Sequence, residues 1–478
     1  MQREKLKFST IFFLILISFF AFVVLPNTSP LSSHSIWCMS NDYFNFAKNM
    51  MQGKVLYTDL YDHKGLFLFL LYYIPVLISK NSLLGVFIME GITSVGIVLS
   101  CYRFCSYRYK QNTSVLMSFL VVVLLRLVFP QIMYNTEPIC IIIMFLLLRY
   151  IDDKSFMKYK KFDYVLFGLA FSMIFWMKFP LVICIFPFWL YIANYSSKYN
   201  HVQLFTKRCL LSFLTFVIFS IPIIGYFIYH GNVKEMIGIY FNSVHASFNF
   251  FQLHIIDISI IAIFIIALIG TIINKEFKKS NFFFLIWFFI IFAITNFTGG
   301  IRSYTSCFVV ILLCMVVPNF IKKTIGRFVT VLCLLVIFVL NIPLLKPEYN
   351  NYRSVKEIAQ EYNITNDNML YLFEDMGFGT YSEKPFRSKY QWRPARVPYD
   401  ENDEMYQQTL DALNNKEFEF ICVAKEDFEK EIDFDEYGSE HRFANVIRAA
   451  QENYEFVEAF DFNEGSVIVY YVCRAKSK

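Results

Sequence analysis

Between Phe8 and Leu345 the sequence keeps returning to apolar runs of roughly 16 to 20 residues, the length a helix needs to cross a bilayer. Short polar breaks separate them. A soluble fold has no use for so many segments that are apolar on every face. The composition agrees: 56% of residues are hydrophobic, only 17% are charged, and Phe alone occurs 56 times. The first run, Phe8–Leu25, follows Arg3, Lys5 and Lys7, which looks like a signal-peptide n-region. No small-residue cleavage site follows Leu25, and many further runs come later. The run is therefore expected to stay as a first helix.

Placing basic clusters on the cytoplasmic side orders the runs into about 11 transmembrane helices, with the N-terminus inside. The expected spans are 8–25, 83–104, 114–129, 139–151, 164–177, 181–192, 210–229, 255–273, 282–295, one ending near Val317, and 328–345. Leu66–Ile78 is apolar but short, and it is expected to lie at the outer interface. Had it spanned, Arg103, Arg108 and Lys110 would fall outside. The predicted fold class is an α-helical polytopic membrane protein with a small C-terminal extracytoplasmic α/β domain. The membrane domain covers 1–345 and includes an outer loop at 27–82; the C-terminal domain covers 346–478. Charge divides at the same point. From Lys346 onward there are 16 basic against 27 acidic residues, and before it 28 against 12. A basic membrane part with an acidic tail is not a nucleic-acid binder. No glycine-rich phosphate loop appears, so a nucleotide-driven mechanism has no support. The 11 cysteines are scattered without metal-ligand spacing, and Cys422 and Cys473 of the tail either pair or stay as buried thiols.

Most of the ionisable chemistry of the first hundred residues sits in the loop after the first run. It reads Trp37 to Gly65, with Asp42, Asp59, Asp62, His63 and Lys64. Within it, 41–52 is predicted as a short helix: Phe44, Ala47 and Met51 share a face, and Gly53 is a stop signal. Asp42, near the start of that helix, is either a base or an N-cap. Asp59–Lys64 is either a working set or a solvated loop with local ion pairs. Other ionisable groups stand in or at the ends of apolar runs: Glu90, Arg126, Glu137, Lys178 and Arg302. Such groups usually line a cavity or pair internally, and snorkelling to headgroups is the alternative for Lys178 and Arg302. Arg126 is a candidate partner for Glu137. No role is assigned to His245 or His254 in the aromatic loop 230–254. Arg387, Lys389 and Arg393 form a basic and aromatic cluster in the acidic tail and read best as ordinary surface.

This layout resembles the GT-C class of membrane glycosyltransferases, nearest to the family 39 type, with protein O-mannosyltransferases and the aminoarabinose transferase of lipid A as relatives. The residues carrying the resemblance are Asp42, Gly53, Tyr57-Thr58-Asp59 and Asp62-His63-Lys64-Gly65. The chain departs from the pattern at Leu66, where Pro is usual. The resemblance implies a multi-pass bacterial plasma-membrane enzyme that transfers a glycosyl unit, with inversion, from a polyprenyl-phosphate-linked donor to a cell-envelope glycan, lipid or protein outside the cytoplasm. It implies Asp42 as the base that takes the acceptor proton. Lys178, Arg302 and Lys64 would bind the donor phosphate, and Tyr57, Asp59, Asp62, His63 and Tyr304 the substrate. The closer relatives work without a metal, so no cofactor is expected, although an Asp/Asp/His set could hold a divalent ion as in oligosaccharyltransferases. The competing classes are a transporter or flippase for lipid-linked sugars and a non-catalytic assembly protein.

Overall fold

The computed structural model describes residues 8–23, 39–128, 134–152, 161–184, 202–241, 314, 353–372, 377–390, 403–429, 442–463 and 467–477. The helices in the first half are α1 (Phe8–Val23), α2 (Met39–Met51), α3 (Leu66–Ile78), α4 (Leu84–Arg108), α5 (Gln111–Val128), α6 (Thr136–Asp152), α7 (Lys161–Met177) and α8 (Val202–Tyr229). Where both are described they start and end within about four residues of the expected spans, except that α8 begins eight residues before 210. The expected spans from 255 to 345 lie outside the described residues except at Cys314.

Among the described residues, Leu84–Ser106 and Cys209–Tyr229 are long and apolar enough to cross a bilayer, while α3, Thr136–Leu148 and Tyr164–Met177 are shorter apolar helices. Leu210, Phe213, Ile221 and Ile228 of α8 are exposed, which fits a helix that faces lipid. At about 1.5 Å per residue, the 13 residues of α3 span only ~20 Å, too little for the hydrocarbon core. It packs instead on α2, α4 and α7. Two tyrosines tie it to the segment before α6: the Tyr72 hydroxyl donates to Tyr134 O, and the Tyr134 hydroxyl donates to Leu71 O at 3.0 Å.

The C-terminal residues form a four-stranded sheet in the order β1-β2-β4-β3, with β1 (Met369–Tyr371), β2 (Phe420–Ala424), β3 (Tyr454–Asn463) and β4 (Val467–Ala475). β1 pairs parallel with β2, and the other pairs are antiparallel. Alternation divides its residues cleanly. Leu370, Leu372, Ile421, Val423 and Cys473 face one core with α10 (Asp403–Asn414) and α11 (Arg442–Asn453). Met369, Tyr371, Phe420, Cys422 and Val472 face the other, where α9 (Val355–Glu361), Phe378 and Phe386 continue into the apolar core around α2 and α3. Cys422 and Cys473 thus lie on opposite faces and both stay as buried thiols. Burial pushes the Cys473 thiol up to about 12. In the sequence, strand-like runs at 369–373, 419–423 and 467–473 and helical patterns at 355–362 and 405–414 mark β1, β2, β4, α9 and α10, whereas β3 and α11 carry no such pattern.

Candidate active site

α2 begins at Met39, two residues before the expected start, so Asp42 is not the cap but the fourth residue of the helix. It is 1% exposed. Gly53, with φ +95°, closes α2 as expected, its N–H reaching Met50 O at 3.1 Å. One face of α2 carries Asn41, Asn45 and Asn49 at four-residue steps, all fully buried. This face meets the C-terminal part. The Thr380 hydroxyl donates to Asn41 Oδ1. Asn49 Oδ1 accepts from Phe386 N at 2.5 Å, and its Nδ2 donates to Asn45 O at 2.7 Å. Lys48 Nζ donates to Thr380 O at 3.2 Å and to Asn81 Oδ1 at 3.1 Å. Sequence reading passed over these asparagines; the signal that could have found them is their helical spacing.

The segment after Gly53 is held from three sides. Tyr57 adopts φ +68°, a left-handed conformation costly for an aromatic residue. Its ring stacks on Phe227 at 5.4 Å, and its hydroxyl donates to Lys64 O at 2.6 Å. Asp59 Oδ2 accepts from Val55 N at 2.8 Å and so closes its own turn. Asn232, just past α8, donates to Leu56 O at 2.7 Å and Thr58 Oγ1 at 3.0 Å, and Leu56 N donates to the Tyr226 hydroxyl at 3.3 Å.

Gly65 then brings the loop against the end of α7. Its N–H donates to Met177 O at 2.9 Å, and a Cβ here would lie 1.9 Å from Trp176 O. Only glycine permits that approach. The next residue along α7's path is Lys178, so the same contact brings Lys178 within electrostatic reach of Asp62, which Lys64 also faces. Lys178 Nζ pairs with Glu137 Oε1 at 2.7 Å, and both side chains are largely buried. Lys178 thus holds Glu137; Arg126, its expected candidate partner, lies in α5 with its side chain outside the described residues. The Thr136 hydroxyl donates to Glu137 Oε2 at 2.6 Å.

Asp62, fully buried, sits between these groups. Its Oδ1 accepts from Lys64 N at 2.9 Å and lies 3.4 Å from His63 Nδ1; Oδ2 has no hydrogen-bond partner among the described residues. Burial raises its pKa, and the charges of Lys64 and Lys178 only partly oppose the rise. Lys64 Nζ contacts His63 Nε2 and lies 5.8 Å from the centre of the Tyr43 ring. The Tyr43 phenol is held well above its ordinary range, first by burial and then by the negative charges of Asp62 and Glu137, with smaller contributions from Tyr72 and Asp42. Asp42, Tyr43, Asp62, Lys64, Glu137 and Lys178 thus share one buried electrostatic neighbourhood.

Glu90 is buried in α4. Arg302, Tyr304, His245, His254 and Arg393 lie outside the described residues. Arg387 donates to Glu417 O at 2.6 Å and stacks over Phe418, and Lys389 lies over Tyr390.

No family model matches the sequence, and no curated protein matches it. Solved structures do. The Archaeoglobus fulgidus oligosaccharyltransferase in complex with Zn and sulfate aligns over 96% of this chain and 72% of its own, at 11% identity and a TM-score of 0.50. ArnT from Cupriavidus metallidurans, bound to undecaprenyl phosphate, aligns over 97% of both chains at 9% identity and a TM-score of 0.56. At such identities the likeness is one of fold: the chain has the GT-C fold of membrane glycosyltransferases.

Proposed function

We propose that this chain is a membrane glycosyltransferase that takes a sugar from a polyprenyl-phosphate donor and passes it to a cell-envelope acceptor outside the cytoplasm. The observation that carries the reading is the convergence of a buried acid-bearing helix and two lysines, Lys64 and Lys178, in a GT-C fold. One structural neighbour with that fold holds undecaprenyl phosphate.

In this reading the loop from Gly53 to Gly65 faces the outside, and the acceptor hydroxyl enters beside Asp42. The hydroxyl oxygen attacks the anomeric carbon as the bond from that carbon to the phosphate oxygen breaks. The proton passes to the Asp42 carboxylate, and the bonding electron pair leaves with the lipid phosphate. Attack in line opposite the leaving group inverts the anomeric centre. Lys178 and Lys64, with Arg302, balance the charge that builds on the phosphate. Glu137 fixes the Lys178 ammonium at the end of α7. Tyr57 and Asp59 act at one remove by shaping the loop that carries Lys64, while Asp62, His63 and Tyr304 meet substrate. The C-terminal domain covers the loop from above through the α2 asparagines.

The test is reconstitution of wild type and Asp42→Asn with a panel of polyprenyl-phosphate hexoses and pentoses, with and without cell-envelope extract. Extract-dependent release of polyprenyl phosphate is expected, falling by about 10²-fold or more in Asp42→Asn, as for loss of a general base. Equal release from wild type and variant would remove Asp42 from the chemistry. Absence of release with every donor from folded protein would leave transport or assembly.

A further inference from the structure

Away from the loop, on the half of α4 remote from its contact with Pro75, three buried thiols meet. Cys101 and Cys105 are one helical turn apart on α4, and Cys314 comes from more than two hundred residues further along the chain. All three are fully buried. Their sulfur atoms lie within 4.8 Å of one another, and Cys101 Sγ is 3.3 Å from Cys314 Sγ. Among the described residues this is the one set of three ligating side chains close enough to share an ion. Asp59 and Asp62 do not form such a set: each closes its own turn.

We propose that Cys101, Cys105 and Cys314 form a binding site for a soft divalent cation of the zinc class, which ties α4 to the segment carrying Cys314. Three ligands at about 2.3 Å from one ion leave their sulfurs about 4 Å apart; the three here all lie within 4.8 Å of one another, with Cys101 and Cys314 at 3.3 Å. Three sulfurs with no carboxylate select a thiophilic ion over magnesium or calcium. Charge chooses between soft ions. Three thiolates around a divalent ion leave one net negative charge, whereas a monovalent ion leaves two, which is costlier in an apolar interior. Ser118 of α5, also fully buried, hydrogen-bonds Cys101 and brings a neutral oxygen to the edge of the cluster. Binding replaces three S–H bonds by three metal–sulfur bonds and releases three protons, so occupancy rises with pH.

The test uses the full chain in detergent, reduced, stripped with chelator and titrated anaerobically with Cd2+ as the probe. A thiolate-to-cadmium ultraviolet band saturating at one ion per chain is expected, together with a higher Tm when the ion is bound. The band is lost in C101S/C314S and kept in C422A/C473A, which removes the two thiols of the C-terminal sheet. Absence of a band in reduced wild-type protein overturns the proposal without reference to any variant. A band of equal size in C101S/C314S overturns it as well, since the ion would then sit elsewhere. A wild-type chain that resists reduction and carries a Cys101–Cys314 disulfide also overturns it.

Discussion

Burial pulls Asp62 toward its protonated form, and Lys64 and Lys178 pull it back; burial wins, so its folded pKa stands above the unfolded value of about 3.9. In the interval between those two values the folded chain binds more protons than the unfolded one. Stability from this group is therefore fully present below the unfolded pKa and is lost as pH rises through the folded one. Asp62→Asn keeps an oxygen to accept from Lys64 N and removes the titration. The expected outcome is that unfolding midpoints of wild type fall as pH rises from about 4, by about 1.4 kcal/mol per unit of pKa difference. The variant should lack that part of the slope and be at least as stable at neutral pH. An unchanged slope would mean that Asp62 titrates as it does in water. At this scale the charged members of the site were legible, because an ion beside an apolar run is conspicuous. The neutral ones were not. Asn41, Asn45, Asn49 and Asn232 are fully or almost fully buried, and Asn41, Asn49 and Asn232 have partners far away in the chain. Nor could spacing reveal that Lys178, 41 residues on, takes Glu137.

The turn from the loop into α3 rests on two adjacent residues with opposite tolerance. Gly65 is the N-cap of α3 at φ −81° and ψ 154°, a conformation open to any residue, yet its missing side chain is what lets α7 approach. Gly65→Ala is expected to cost about 1–3 kcal/mol through displaced backbone. It should also lower transfer sharply, since Lys64 moves away from Lys178; Tm and donor turnover measured together check this. Leu66 is the first residue of α3, where proline is well accommodated, and extended Gly65 suits a following proline. Leu66→Pro should therefore fold and retain transfer, with stability changed by about 1 kcal/mol or less. Failure of the Leu66→Pro chain to fold would show that the Leu66 N–H or side chain is indispensable. Element positions were legible because apolar length and basic flanks both report them. The short α3 was legible as an apolar helix because its length alone is too small to span. β3 and α11 escaped because their residues mix charge and apolar groups, and partner strands decide their state.

The two halves of the molecule share an apolar core through one face of the C-terminal sheet, and Phe386 is its seam. Its side chain is buried and meets Phe46 of α2 edge-on at 6.2 Å, while its N–H is bonded to Asn49. The other face of the sheet is closed independently by α10 and α11. Loss of the seam should then undock the segment around it without unfolding the sheet. Phe386→Ala removes a buried aromatic side chain, a change worth about 3–5 kcal/mol. The surrounding segment carries Arg387 and Lys389, two trypsin sites that docking keeps against Glu417 and Tyr390. Limited trypsinolysis of the wild type is expected to leave them uncut. Phe386→Ala should be cut there and release a C-terminal fragment that itself resists further digestion, because Ile421, Val423 and Cys473, all C-terminal to the cut, keep the cover of α10 and α11. Asn49→Ala, which leaves Phe386 N–H unpaired at a cost of about 1–3 kcal/mol, should give the same cut at a lower rate. In both variants transfer should fall along with docking, since Asn41, Asp42 and Asn49 ride on one helix. Full protection of Arg387 and Lys389 in both variants would mean that the sheet is held by other contacts. Cleavage with undiminished transfer would mean that α2 keeps Asp42 in place without the cap.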